Sequence, residues 1–241
     1  MHTTIKKSAP RLKHQPKGVE LLYEDADILV VNKPSGLLTM GTERDKSHTV
    51  QSALNDYVRK GCHKSRNRVY IVHRLDRDTS GILLFAKNDK AKLSLQSDWE
   101  NTTKIYLAVV FGHLTIPQEG TISSYLVENA AFSVYSTPDP AKGRLSHTAY
   151  TLVKESKDFS LLQVHLITGR KHQIRVHFAD KGHPVVGDRK YAKGHPSHSK
   201  MALHAYTISF THPVSGARLR FDAQIPGLFS RLVGNFELPG V

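Results

Sequence analysis

Cysteine is almost absent from this chain: Cys62 is the only one in 241 residues. An internal disulfide and a cysteine-based zinc finger each need at least two thiols, so both are excluded, and a reducing compartment fits. Long apolar runs are missing as well. No stretch approaches the roughly 18 apolar residues of a membrane span, and the first twenty residues lack the apolar segment of a signal peptide. The expectation is a soluble, cytoplasmic protein with no membrane partner. Acidic residues are scarce: 34 Lys and Arg stand against 21 Asp and Glu, a formal charge of +13. An excess of that size suggests a polyanionic partner, nucleic acid first. Internal repeats and low-complexity tracts are absent too.

The length allows one large domain with tails, big enough for a proper core. Residues 1–18 are basic and poor in apolar side chains, which predicts a flexible tail, and 19–241 read as a single domain. Val19 to Tyr23 and Ile28 to Asn32 predict a hairpin that runs into the turn Lys33-Pro34-Ser35-Gly36. A helix is expected from Thr49 or Val50 to about Tyr57, with Val50, Leu54, Tyr57 and Val58 on one face, and a second from Asp89 to Trp99 capped by Asn88. Strands are expected at 104–110, 121–126, 146–154, 159–166, 202–210 and 219–223. Many strands and few helices predict an α+β fold, a largely antiparallel mixed sheet with flanking helices.

Two segments carry dense chemistry. The first is His73-Arg74-Leu75-Asp76-Arg77-Asp78-Thr79-Ser80-Gly81, set between the apolar runs Val69 to Val72 and Ile82 to Ala86. Such runs read as buried strands, so the charged stretch is a loop held on a rigid frame, where catalytic residues tend to sit. Asp76 lies in mid-loop between arginines and has no metal-ligand companions at useful spacing. A lone carboxylate suggests a nucleophile or base, and a nearby arginine would favour its ionised form; Arg175 is the candidate. Taken by itself, Asp76 reads equally well as a turn cap or a partner of Arg74. The second segment is residues 166–178, where a strand gives way at Thr168-Gly169 to a helix expected over Lys171 to Asp180. Ile174, Val176 and Phe178 would pack, His172 and Arg175 would share an exposed face, and the helix start after Arg170 suits a phosphate.

HRLDRDTSG closely resembles the catalytic signature of RluA-type pseudouridine synthases. The resemblance extends in order to NKPSG at 32–36, KIYLAVVFG at 104–112, TGRKHQIRVH at 168–177, HPVVGD at 183–188 and LHAYTISFTHP at 203–213. It implies the pseudouridine synthase catalytic fold and isomerisation of a specific uridine in RNA, the glycosidic bond moving from N1 to C5. By resemblance Asp76 is the nucleophile, Tyr106 stacks on the uracil, Arg175 pairs with the catalytic carboxylate and Ile174 lies beside the base. Attack at the sugar and attack at C6 of the base both remain open. The target nucleotide has to be flipped out, at a cost of a few kcal/mol. Arg74 matches the position that enters the vacated stack, and His73 supports the loop or the RNA backbone. Arg170 and His172 are carried as substrate-binding residues.

The isomerisation has no redox step, so no cofactor or metal is implied. Relatives often carry an N-terminal S4-like domain, for which the residues before the first strand leave no room, so a short form is expected. The implied partner is an rRNA or tRNA stem-loop, in 23S rRNA or an anticodon arm; DNA is not expected, and nothing demands more than a monomer. His195, His198 and His204 lie close in sequence but fit no zinc spacing. Without the resemblance Tyr106 reads as a half-buried packing residue, and Lys33 and Gly187-Asp188 read as turn residues giving structural support. His-Arg-Leu-Asp also echoes the kinase catalytic loop, yet no Gly-rich loop or Asp-Phe-Gly accompanies it. The alternative of another class is a catalytically silent RNA-binding or ribosome-assembly factor with the same fold.

Overall fold

The computed structural model describes residues 15–41, 47–62 and 64–239. The tail expected over 1–18 lies, as far as residue 14, outside the described residues. The chain forms two compact units, one ending at Thr103 and rejoined by Ala205–Gln224, the other comprising Lys104–His204 and the segment from Ile225. Among the described residues the strand ladders are largely antiparallel and four α-helices flank the strands, the mixed α+β architecture expected.

In the first unit β1 (Glu20–Glu24) pairs with β2 (Ile28–Lys33), which pairs with β4 (Ser80–Ala86); β3 (Tyr70–Ile71) also lies on β4. Next along the order is β10 (Leu203–Thr211), whose first two residues belong to the other unit, and β11 (Arg218–Asp222) pairs with it. Ile28 to Val31 and Ile82 to Ala86 are buried on both faces, which is why these strands read as unbroken apolar runs instead of alternating ones. One face packs Ile28, Val30, Ile82 and Leu84 with Ala91 and Leu95 of α2 (Asp89–Ser97) and with Phe210 and Phe221. The α2 cap is Asn88, accepting from Ala91 N at 2.8 Å, as its position predicts. Helix α1 (Val50–Arg59) starts after Thr49, whose hydroxyl accepts from Ser52 N at 3.1 Å, and it buries Val50, Leu54 and Val58. The strand expected over Val69 to Val72 is only the two residues of β3.

In the second unit the strand order is β5 (Thr103–Phe111), β9 (Phe159–Leu166), β8 (Arg144–Glu155), β6 (Glu119–Glu128) and β7 (Val134–Thr137). Helix α3 (Gln173–Asp180) packs on β6, β7 and β8, burying Ile174, Val176 and Phe178, and α4 (Gly227–Val233) packs on β9. α3 starts two residues later than expected. His172 takes a left-handed φ of 54° that leaves the helical path, and Gln173 Oε1 accepts from Arg170 N at 3.0 Å and from the Thr168 hydroxyl at 2.8 Å. One of the backbone donors that a phosphate would need at that turn is thus already used.

Candidate active site

The segment 73–79 is held in the first unit by the turn that follows β2. Lys33 is fully buried, and its ammonium donates to the carbonyls of Leu37 at 2.7 Å, Arg77 at 2.8 Å and Pro34 at 3.0 Å. Gly36 N donates to Arg77 O at 2.9 Å and the Ser35 hydroxyl to Asp78 O at 2.7 Å. The Thr39 hydroxyl donates to Leu75 O at 2.9 Å and accepts from Leu75 N at 3.2 Å. Carbonyls on both sides of Asp76 are therefore fixed by groups from residues 33–39. Within the loop Thr79 N donates to Asp76 O at 3.2 Å, and Asp76 itself is half-buried. NKPSG, read from sequence as turn residues, is the clamp on the aspartate loop.

His73 is engaged inward. Its Nε2 accepts from Leu84 N at 3.1 Å, which puts the ring proton on Nδ1, and the ring lies 4.7 Å from that of Trp99. It therefore ties the loop to β4. Arg74 is exposed, its Nη1 3.8 Å from Met40 Sδ. Arg77 and Asp78 form an exposed ion pair at 3.1 Å, a contact of small energetic weight.

In the second unit Arg175 differs from expectation. It is 8 % exposed instead of sharing an open face with His172, because a carboxylate of a neighbouring segment reaches it. Asp188 takes its Nε at 2.7 Å and its Nη2 at 2.9 Å, a bidentate pair, and accepts in addition from Lys190 N and Tyr191 N. Burial pushes the Asp188 carboxyl up, but the Arg175 hydrogen bond and charge and the two backbone donors outweigh it and hold the group below the usual carboxylate range. The Arg175 guanidinium also lies 5.1 Å over the Tyr191 ring, and the Tyr191 hydroxyl meets His172 Nδ1 at 2.8 Å. A guanidinium held by Nε and Nη2 is fixed in plane and direction, so a further carboxylate can meet it only at its outer end. Tyr106, Ile174 and His172 are buried or half-buried in this unit, whereas Arg170 is exposed.

Local sequence reasoning underrated Asp188 and Lys33. The available signal was that both fall inside ordered family segments, HPVVGD and NKPSG. Among the described residues one group has metal-ligand geometry, Asp25, Asp27 and His212. Its atoms serve a turn instead. Asp25 accepts from Asp27 N and Ile28 N and meets His212 Nε2, while His212 Nδ1 accepts from Val214 N and Ser215 N. His195 stacks on Phe111 at 4.5 Å, and His198 lies 5.7 Å from the same ring.

The model of a protein family described as RNA pseudouridylate synthase matches residues 27–180. The chain belongs to this family. A Mycoplasma genitalium protein named as an uncharacterized RNA pseudouridine synthase is 35 % identical over 91 % of this chain and 71 % of its own length. The dual-specificity RNA pseudouridine synthase RluA of Vibrio vulnificus is 34 % identical over 81 % of this chain and 79 % of that protein. Among solved structures, human RNA pseudouridylate synthase domain containing 4 has a TM-score of 0.76 at 20 % identity, covering 92 % of this chain and 95 % of that one, and so shares the fold. Pseudouridine synthases are isomerases, and the family places this chain in the RluA type.

Within the synthase two consequences of the clamps are measurable. Burial pulls the Lys33 ammonium down to about 8, against the opposing pull of Asp78 and Asp76. A folded value below the unfolded one means that the unfolded chain carries the extra proton between pH 8 and 10.5. Stability from this group therefore rises with pH through that window. Urea unfolding of wild type against Lys33→Met across that range should show wild type gaining roughly 3 kcal/mol relative to the variant; a flat difference would contradict the assignment. For Asp188→Asn, a buried guanidinium loses its charge partner, and thermal unfolding near neutral pH should show a loss of about 3 kcal/mol. Because the native carboxyl lies below its unfolded value, this difference should be complete above about pH 5 and shrink as pH falls through the native value.

Proposed function

We propose that the synthase isomerises one or a few uridines in a structured stem-loop of 23S rRNA or a tRNA anticodon arm, with Asp76 as the nucleophile. The observation that supports this most is the aspartate loop, whose carbonyls on either side of Asp76 are held by Lys33, Gly36, Ser35 and Thr39. So many bonds on one short charged loop suit a nucleophile that must be preorganised.

In this reading the target nucleotide leaves its stack and the exposed Arg74 guanidinium fills the gap, stacking on or bonding to neighbouring bases. Tyr106 stacks on the uracil, Ile174 lies beside it, and Arg175, directed by Asp188, pairs with the Asp76 carboxylate. Arg170 contacts the RNA backbone, and His172 steadies the arginine through Tyr191. Residues 19–241 are read as one catalytic domain, and the chain's own side chains supply the chemistry without a cofactor. The enzyme works in the cytoplasm as a monomer. The dual-specificity RNA pseudouridine synthase named above supports RNA as the substrate class, with room for more than one target.

The test is pseudouridine mapping by carbodiimide labelling and primer extension on total tRNA and rRNA from cells with and without the gene. Loss of one or two sites, restored by the wild-type gene, is the expected result. Full retention of every site would favour the silent assembly factor.

A further inference from the structure

The hairpin between β6 and β7 carries Phe132 at its tip, 70 % exposed. A single exposed phenylalanine is ordinary, but three features set this one apart. Its φ is +55°, a left-handed conformation that bulky residues rarely adopt and that costs about 1–2 kcal/mol. The conformation is imposed by a closed set of bonds: Phe132 N donates to Asn129 O at 2.9 Å, and Asn129 Oδ1 accepts from Ala131 N at 3.0 Å and Ser133 N at 2.9 Å. Two lysines from other segments converge on the same residue. Lys190 Nζ donates to Phe132 O at 2.9 Å, and Lys171 Nζ lies 5.3 Å from the ring centroid, also paired with Glu128.

The hairpin is joined to the arginine network. Val134 N donates to the Tyr191 hydroxyl at 3.1 Å, and Leu126 and Val134 pack with Val176 of α3 against Tyr191. Lys171 and Lys190 each lie one residue from a member of that network, His172 and Tyr191. An aromatic face held outward at the expense of backbone strain, with ammonium groups beside it and exposed Arg170 and Tyr135 nearby in sequence or on the same hairpin, has the composition of a single-strand stacking platform.

We propose that Phe132 is a stacking site for an unpaired nucleotide of the RNA substrate lying outside the reacting uridine, with Lys171 and Lys190 taking the adjoining phosphates. The occupant is RNA, as the charge of +13 and the family require, and the inference rests on the RNA-modifying reading above. Every base has a π-face, so the site supplies affinity and register without a sequence code.

The test uses the full chain and a fluorescein-labelled oligouridylate of about 12 nucleotides, with binding read by anisotropy between roughly 50 and 200 mM salt. Phe132→Ala should weaken binding about 10-fold at every salt concentration, since stacking contributes about 1–3 kcal/mol per base, and Phe132→Tyr should stay within about twofold of wild type. Lys171→Ala with Lys190→Ala should instead flatten the salt dependence, by about 0.7 in slope for each phosphate no longer neutralised. Quenching of 2-aminopurine placed in the oligonucleotide should occur with wild type and vanish with Phe132→Ala. Equal affinity and equal quenching of wild type and Phe132→Ala, at matched melting temperature, would overturn the proposal, as would no binding of the oligonucleotide by wild type. Phe132-dependent binding together with unchanged pseudouridine maps in the gene deletion would sink the catalytic reading and leave the platform standing.

Discussion

Asp76→Asn is expected to abolish isomerisation, lowering the single-turnover rate on the mapped RNA by at least about 10⁴-fold, while its affinity for that RNA stays within about threefold of wild type. Removing the nucleophile from enzymes whose catalytic groups act as a unit costs of this order, about 5–6 kcal/mol of barrier. Asparagine keeps the size of the side chain and a hydrogen-bonding oxygen but cannot form the covalent bond to sugar or base that the proposed nucleophilic role requires. The backbone bonds that hold the loop, from Lys33 to Arg77 O and from Thr39 to Leu75, do not involve the side chain and survive the exchange. The split between rate and affinity is therefore the diagnostic. Tritium release from RNA carrying 5-tritiated uridine reads the rate, and filter binding reads the affinity. A variant that retained a tenth of the wild-type rate would remove Asp76 from the role of nucleophile, and one that lost affinity in parallel would make it a binding residue.

The frame around Asp76 was legible because local pattern and tertiary outcome agree. Ile28 to Val31 and Ile82 to Ala86 are unbroken apolar runs, and both are buried on both faces. The caps Thr49 and Asn88 do what their side chains permit anywhere, accepting from a backbone donor three residues on. What escaped is short or at an edge. β7 is a four-residue strand of mixed polarity paired through Tyr125 to Glu128, and α4 has seven residues, too few for a period of 3.6 to declare itself.

The site divides along the same line. Asp76 stood out because charge interrupts two buried strands, a local signal. The clamp is non-local: the groups that fix the loop come from Lys33, Ser35 and Thr39, 36 to 44 residues earlier. No periodicity announces a side chain that bonds a carbonyl at that distance. Arg175 was misplaced on an open face for the same reason, since the carboxylate that buries it sits 13 residues on, beyond the end of its helix. Family resemblance marked the segments NKPSG and HPVVGD, and only the fold shows that they act through their neighbours.

Gly81→Ala is expected to cost more than about 5 kcal/mol and to leave little folded protein, a larger effect than a methyl added at Gly18, Gly36, Gly61 or Gly216 of the same unit, where a Cβ meets nothing within 4 Å. Gly81 lies at the junction of the aspartate loop and β4, opposite Lys33 in the ladder, at a φ of +111°. A Cβ placed there would lie 2.2 Å from Ala205 O and 2.6 Å from Ala205 N. Both are backbone atoms of β10, so no side-chain rotation relieves the clash, and either the strand or the loop must move. Gly36 provides the control. Its φ is +91°, yet a Cβ there would meet nothing within 4 Å, so Gly36→Ala carries conformational strain alone, about 1–2 kcal/mol. Thermal unfolding of the two variants separates strain from contact. At about 2–4 °C per kcal/mol for a chain of this size, Gly36→Ala should lower the midpoint by less than about 8 °C and Gly81→Ala by well over about 10 °C. Similar midpoints would mean that β10 does not approach the loop as closely as 2.2 Å implies, and the rigid seating of Asp76 would lose its support on that side.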